Sequence, residues 1–306
     1  MPPFTPSPEH LEKLNLEWVE PYDADTAPAN LTFATYDTPV RGPGTQGSYW
    51  YRLPPGYADE TNVSTRYPVL YWLHGGMARG SQGAKAVALY TAAMEAGQMP
   101  PVILVLPQGL PVGWYLNSID RKYPIEDVLI KDLLPHVDTT FRTSGVRGIE
   151  GFSMGGYGSL HLGLRYHELF LGGGISAIAP AILSSLKDEP QVRIWDTFRG
   201  SQAYYDENHP LTLATNKAEA LRTAVTSPER ETRGLRIRLL SGGDDLRLTD
   251  AIARLSSVLD EVGVPHERQD VPGAGHEYDL ILAGLGDNAA GFWGRAFGIK
   301  GEASAS

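Results

Sequence analysis

The chain contains no cysteine. That absence excludes disulfides, a thiol nucleophile and zinc–thiolate sites together. Long apolar runs are missing too: no stretch approaches the roughly 20 apolar residues that a membrane span needs. Nor is there an excess of positive charge. Lys and Arg number 26 against 36 Asp and Glu, a net charge of −10, and no basic patch stands out. Nucleic acid and anionic membrane are therefore poor partners. Met1 to Pro8 carry neither a basic n-region nor an apolar core and do not read as a signal peptide. A cytoplasmic protein, or a secreted domain with its signal removed, fits this equally.

What is present suffices for one large α/β domain or two small ones: 306 residues, 42% hydrophobic. Residues 1–30 read as an extension whose first eight residues are loose, and residues 301–306 as a loose tail. Between them short β-rich runs alternate with helical patterns. Leu31 to Tyr36 and Ser48 to Leu53 read as an antiparallel pair. Val69 to Leu73 and Val102 to Leu106 are nearly continuous apolar runs, as in strands buried on both faces. An Ala-rich helix, Ala84 to Ala96, lies between them, and Ile125 to Phe141 predicts a helix bent at Pro135. Further strands are expected at Phe170 to Ser176, Leu235 to Leu240 and His266 to Val271, with helices over Leu248 to Val262 and Glu277 to Phe297. This alternation predicts a mostly parallel sheet flanked by helices on both faces. Ala177 to Gly234 breaks the rhythm after the sixth strand. It holds Trp195, Phe198, Tyr204 and Tyr205 among helix-like pieces, either a cap-like insert shaping a pocket or a surface excursion.

The chemistry concentrates at Gly151-Phe152-Ser153-Met154-Gly155. A strand-like run ending at Glu150 precedes it and a helical pattern to about Tyr166 follows. G-x-S-x-G in a strand–turn–helix context is a nucleophile elbow. The serine takes a strained backbone conformation that lifts its hydroxyl out of the turn, and only hydrogen fits as the side chain of its close neighbours. A serine hydroxyl needs a base, and the base needs a carboxylate to fix its tautomer. Behind such an elbow the chain order is Ser, then Asp or Glu, then His, each on a loop after a later strand. His276 follows the last predicted strand in Gly273-Ala274-Gly275-His276. His161 and His167 on the elbow helix, His209 in the insert and His266 at a strand start are its competitors. Two adjacent acids, Asp244 and Asp245, follow the Leu235 to Leu240 strand. One can face the histidine, leaving the other to cap a helix or face water. His74-Gly75-Gly76 follows the Val69 to Leu73 strand. That loop and Met154 are expected to supply the backbone N–H groups of an oxyanion hole. His74 itself reads as structural.

Taken in order, Tyr71 to Gly76, Leu106-Pro107-Gln108-Gly109 with Gly113-Trp114-Tyr115, Gly151 to Gly158, Gly242 to Asp245 and Gly275-His276 resemble the esterase D-like branch of the α/β-hydrolases. That branch includes the feruloyl and acetyl-xylan esterases of carbohydrate esterase family 1, S-formylglutathione hydrolases and mycolyltransferases. The resemblance implies an α/β-hydrolase fold over residues 31–300, with 177–234 as the insert. It points to Asp245 as the acid before Asp244, and to Gly76 before Met77 as the second oxyanion donor. The usual Pro-Asp-Gly is Pro107-Gln108-Gly109 here, so any role of that carboxylate is absent.

These readings converge on a serine carboxylic-ester hydrolase with Ser153, His276 and Asp245 as its triad and no metal or organic cofactor. The resemblance implies that its esters are aryl, feruloyl or acetyl esters of carbohydrates. Trp114 and Trp195 are expected to line the substrate site. Acyl transfer to an alcohol, thioester or peptide hydrolysis, and a non-catalytic binding module on the same fold are the alternatives. Activity is expected to fall on acidification through an apparent pKa of about 6 to 7, where imidazole titrates.

Overall fold

The computed structural model describes residues 16–188, 191–226 and 234–298. The expected loose ends, residues 1–8 and 301–306, lie outside these. Eight strands form one sheet: β1 (Thr32–Asp37), β2 (Gln46–Arg52), β3 (Tyr67–Leu73), β4 (Ile103–Pro107), β5 (Thr143–Phe152), β6 (Gly174–Ile178), β7 (Arg236–Gly242) and β8 (Glu267–Val271). Their order is β1-β2-β4-β3-β5-β6-β7-β8. β1, β2 and β4 pair antiparallel, and every pairing from β4 through β3 to β8 is parallel. The chain winds outward from β3 to β4, then returns past β3 and winds the other way from β5. The crevice at the carboxyl ends of β3 and β5 is therefore the switch point where an open α/β sheet takes its ligand.

Strand alternation shows which helices cover which face. Gly163 of the elbow helix, Met154–Arg165, rides on Ile175 of β6, where a Cβ would meet Ile175 Cγ1 at 2.6 Å. The next residue, Ser176, points the other way and accepts from Arg238 Nε at 3.1 Å. That second face is covered by helices Ala84–Glu95 and Asn288–Ala296. On it lies a pair that the hydrophobic pattern does not reveal. Glu150 of β5 and Arg238 of β7 are buried together, Arg238 Nη2 to Glu150 Oε2 at 3.1 Å. Trp293 Nε1 donates to the same oxygen at 3.2 Å, the Tyr90 hydroxyl donates to Oε1, and Arg238 Nη1 donates to Asn288 O at 2.8 Å. Buried charges persist only when paired and hydrogen-bonded in this way.

Several expected elements change shape, each for a local reason. The helix from Ile125 is not a simple bent α-helix: Ile125–Asp127 leads into π-turns over Val128–Leu133 before α-geometry resumes at Leu134–Thr140. Pro135 has no N–H and its ring crowds the carbonyl four residues back, and the wider turns upstream relieve that crowding. The last helix is two helices, Tyr278–Leu285 and Asn288–Ala296, parted at Gly286 with φ +52°. β6 starts at Gly174 because Phe170 sits in a 3-10 turn, His167–Phe170, and Gly172 has φ +76°. Residues 16–30, the described part of the expected extension, dock on the sheet through Trp18 and Glu20. Ser48 N donates to Trp18 O at 3.0 Å, and buried Glu20 accepts from Trp50 Nε1 at 2.9 Å. The insert is helical among the described residues, with helices Gln191–Phe198, Gln202–Asn208, Pro210–Asn216 and Ala218–Thr226.

Arg238→Met leaves the Glu150 carboxylate buried without its cation and is expected to lower stability by about 3–5 kcal/mol in urea denaturation. The double variant Glu150→Leu/Arg238→Met should lose less than the single one. A double variant at least as unstable as the single would show that the charge pair is not what matters there.

Candidate active site

Ser153 sits between β5 and the elbow helix with φ +56° and ψ −114°, a strained conformation for a residue with a Cβ. The glycines around it are where backbones touch. A Cβ on Gly155 would lie 2.1 Å from Leu73 O, and one on Gly151 2.2 Å from Gly155 O. Neither position admits any other residue. The hydroxyl of Ser153 thereby reaches His276, with Oγ to Nε2 at 2.8 Å. On the far side of the ring, Asp245 Oδ2 is 3.0 Å from Nδ1. This second contact is close in distance but not aligned as a full hydrogen bond, and no other donor reaches that buried oxygen. Looseness of this kind is usual in unliganded sites and tightens when substrate binds.

Asp244, its competitor, is exposed. The loops bearing Asp245 and His276 are stitched together: Gly243 N donates to Val271 O at 2.7 Å and Asp244 N to Ala274 O at 3.0 Å. A Cβ on Gly242 would lie 2.0 Å from Gly275 O. Asp245 occupies the N-cap of helix Leu246–Glu261 yet its side chain caps nothing, since it is turned to the histidine. His276 packs on Phe152, ring centroids 4.8 Å apart. Partial burial lowers the His276 pKa below that of free imidazole. Asp245 opposes the shift and the Arg247 guanidinium adds to it. The imidazole is therefore neutral at neutral pH, as a base must be.

The loop after β3 distinguishes Gly76 from Met77. Gly75 N donates to Gln82 Oε1 at 2.7 Å and Met77 N to Pro111 O at 2.7 Å. The Gly76 amide between them donates to no backbone acceptor among the described residues. Met154 is the first residue of the elbow helix, so its N–H has no intrahelical partner. Both glycine and methionine line the same cavity as Ser153 and His276, about 280 Å³ in volume. His74 braces this loop from behind. It is buried, with Nδ1 2.8 Å from Gly75 O, and its Nε2 accepts from Gly109 N at 3.0 Å. Burial pushes its pKa down to about 4, so it stays neutral.

Of the remaining histidines, His161 is buried against Glu126 at 2.9 Å, and His209 Nε2 lies 3.3 Å from Leu183 O. His266 Nε2 lies 2.6 Å from Ser256 Oγ, and His167 is 3.3 Å from Glu168. None lines the Ser153 cavity.

The two tryptophans part company. Trp114 lines the cavity but is not an exposed platform: it is 4% exposed, edge-to-face with Tyr157 at 5.4 Å and with Phe198 at 5.9 Å. Its φ of +52° and the +59° of Tyr115 are held by Tyr115, whose ring packs on Gly158 and whose hydroxyl donates to His74 O at 3.1 Å. Trp195 does not line the cavity. Its helix turns Ile194, Thr197 and Phe198 inward, with Thr197 Oγ1 donating to Val112 O at 3.0 Å, and leaves Trp195 half-buried near Arg199. One residue the sequence reading passed over is Arg247, which lines the cavity two positions after Asp245. A cation in the first turn of a helix opposes the helix dipole, and that mismatch is the signal that could have marked it.

A family model described as "Putative esterase" matches residues 46–297. Two esterases of Mycobacterium tuberculosis, from strains CDC 1551 and H37Rv, are each 29% identical over 243 residues, covering 72% of this chain and 51% of their own length. The chain thus spans about half the length of these curated relatives. Among solved structures, a ferulic acid esterase superposes with a TM-score of 0.71 at 21% identity, over 87% of this chain and 98% of its own. A fluorophosphonate-binding serine hydrolase of Staphylococcus aureus gives 0.66 at 16% identity, over 85% and 96%. At these identities the structural likeness establishes the fold, that of the α/β-hydrolases. With the family model covering most of the chain, from the second strand to the last helix, this chain belongs to the esterase family.

Proposed function

We propose that this chain is a serine carboxylic-ester hydrolase working through an acyl-enzyme. The observation that carries the reading is the array Asp245–His276–Ser153, 3.0 Å and 2.8 Å between its members, facing one cavity with the uncommitted amides of Gly76 and Met154. Ser153 Oγ attacks the ester carbonyl as His276 Nε2 takes its proton. Asp245 holds the ring and stabilises the imidazolium. The carbonyl oxygen, now negative, is met by the Gly76 and Met154 N–H groups. Collapse of the tetrahedral intermediate breaks the bond to the alcohol oxygen, which leaves with the proton from His276. Water, activated by the same imidazole, then releases the acid. No step calls on a metal or an organic cofactor.

Aryl, feruloyl or acetyl esters of carbohydrates are the substrate class favoured by this reading. It is supported by the ferulic acid esterase among the structural neighbours and by the Trp114 wall beside Ser153. A panel of p-nitrophenyl acyl esters beside methyl ferulate and acetylated xylan tests it. Product analysis with and without an added alcohol separates hydrolysis from acyl transfer.

Ser153→Ala should leave a folded protein whose kcat on its best ester falls by about 10⁶. Activity within roughly tenfold of wild type would make the elbow decorative. Asp245→Asn should lower kcat by about 10³ to 10⁴ through loss of the histidine tautomer, and Asp244→Asn far less; the opposite ranking would reject the assignment. For pH, the sign follows from the histidine. Activity is lost as His276 gains a proton, and burial lowers its pKa. The acid limb of kcat/KM is therefore expected below the roughly 6.5 of free imidazole. A limb above that value would contradict the desolvated setting of the ring.

A further inference from the structure

The loop after β3 opens with Gly75 and Gly76, and without Cβ atoms their backbone has little conformational preference of its own. The direction of the Gly76 N–H therefore depends on what holds the Gly75–Gly76 peptide. The carbonyl of that peptide, Gly75 O, has two donors. Ala78 N reaches it at 3.3 Å, closing a turn with Met77 at φ +60°, and the His74 ring meets it with Nδ1 2.8 Å away. In a trans peptide the C=O and the next N–H point in opposite directions. A ring that draws Gly75 O to one side aims the Gly76 N–H to the other. Gly76 lines the Ser153 cavity, and a Cβ on it would lie 3.8 Å from Met154 Cβ.

The partners of His74 also fix where its proton sits. Nε2 faces the Gly109 N–H at 3.0 Å and accepts from it. A neutral imidazole has one acceptor and one donor, so the proton is on Nδ1 and points at Gly75 O. The ring is held from the side as well. It is buried, edge-to-face with Tyr115 at 5.7 Å between centroids, and the Tyr115 hydroxyl donates to His74 O at 3.1 Å. Gly109 is pressed on the same tyrosine, where a Cβ would lie 2.3 Å from Tyr115 Cε1.

These bonds all run in one direction. Gly109 N–H donates to His74 Nε2, and Nδ1–H donates to Gly75 O. Across that peptide, the Gly76 N–H is left to donate to the substrate. Each bond in such a chain polarises the next, strengthening it by roughly 10–30%. The donor at the end of the chain is the one that meets the negative oxygen of the tetrahedral intermediate.

We propose that His74 is a positioning residue for ester cleavage, which aims and polarises the Gly76 oxyanion donor through its Nδ1–H and the Gly75–Gly76 peptide. The proposal rests on the esterase reading. Two variants separate the two arms of the ring. In His74→Asn the side-chain amide reaches the place of Nδ1 and keeps a donor for Gly75 O. In His74→Gln it reaches the place of Nε2 and keeps only the acceptor for Gly109. Both are compared with wild type in kcat and KM on p-nitrophenyl acetate and in affinity for benzeneboronic acid, whose tetrahedral adduct on Ser153 puts an oxygen in the same hole. His74→Gln should lower kcat by about 10- to 100-fold at a KM within about twofold, less than the 10²–10³ of deleting an oxyanion donor. Its affinity for the boronic acid should fall in step. His74→Asn should keep kcat within about fivefold of wild type. Equal kcat values in the two variants, or a change confined to KM, overturn the proposal. A readout on the unaltered protein stands apart from how either variant folds: two-bond ¹H–¹⁵N NMR spectra should show the His74 proton on Nδ1. A proton on Nε2 overturns the proposal too. All of these adverse outcomes leave the esterase reading standing, whereas a wild type that cleaves no ester removes both.

Discussion

One backbone contact governs the site: the Cα of Gly155 pressed against the carbonyl of Leu73, where a side chain would start 2.1 Å from the oxygen. β3 and β5 are parallel neighbours, with Leu73 opposite Gly151. The chain leaving β5 must turn into a helix in the space directly above the end of β3. That fixes Ser153 at φ +56° and sets the start of the elbow helix, hence the Met154 amide, beside the loop that carries Gly76. The Ser153 hydroxyl and the Gly76 and Met154 amides, the proposed nucleophile and oxyanion donors, are thus positioned by the same contact. The cost of the strained serine, of order 1–3 kcal/mol, is offset by the sheet pairing on both sides of it. The same device recurs where Gly242 meets Gly275, and there it holds the acid and histidine loops together.

The rest of the site is braced from outside. His74, kept neutral by burial, joins the β3 loop to Gly109. Tyr115, wedged against Gly158, holds two consecutive left-handed residues and with them the loop of Pro111, whose carbonyl engages the Met77 amide and leaves that of Gly76 uncommitted. Arg247 enters the electrostatics directly, since its charge and the burial of the ring both favour neutral His276 while Asp245 favours the imidazolium. An imidazole that starts neutral and is stabilised once charged suits the proton shuttling proposed for His276.

Much of this was legible in the sequence because it is local. The elbow glycines act within five residues, and the order of Ser, Asp and His follows from strand order, which hydrophobic runs reveal. What was not legible depends on tertiary partners. The residues by themselves leave Asp244 and Asp245 equivalent and only the resemblance ranks Asp245 first; in the fold the turn after Gly242 turns Asp245 to the ring and leaves Asp244 exposed. Trp114 reads as an edge tryptophan, but Phe198 of the insert and Tyr157 of the elbow helix close over it. Glu150 sits mid-strand, where charge ordinarily argues for exposure, and its burial makes sense only once Arg238 arrives from β7. The break at Gly286 and the π-turns before Pro135 are backbone adjustments that side-chain periodicity does not encode.

The central claim is that Ser153 is a nucleophile activated by His276. The most direct measurement is the site and rate of covalent labelling by a fluorophosphonate, followed by mass spectrometry of the intact and digested protein. The account predicts one adduct per chain, on Ser153, forming far more slowly in His276→Ala. An adduct on another residue, no adduct at all, or equal labelling rates with and without the imidazole would contradict it.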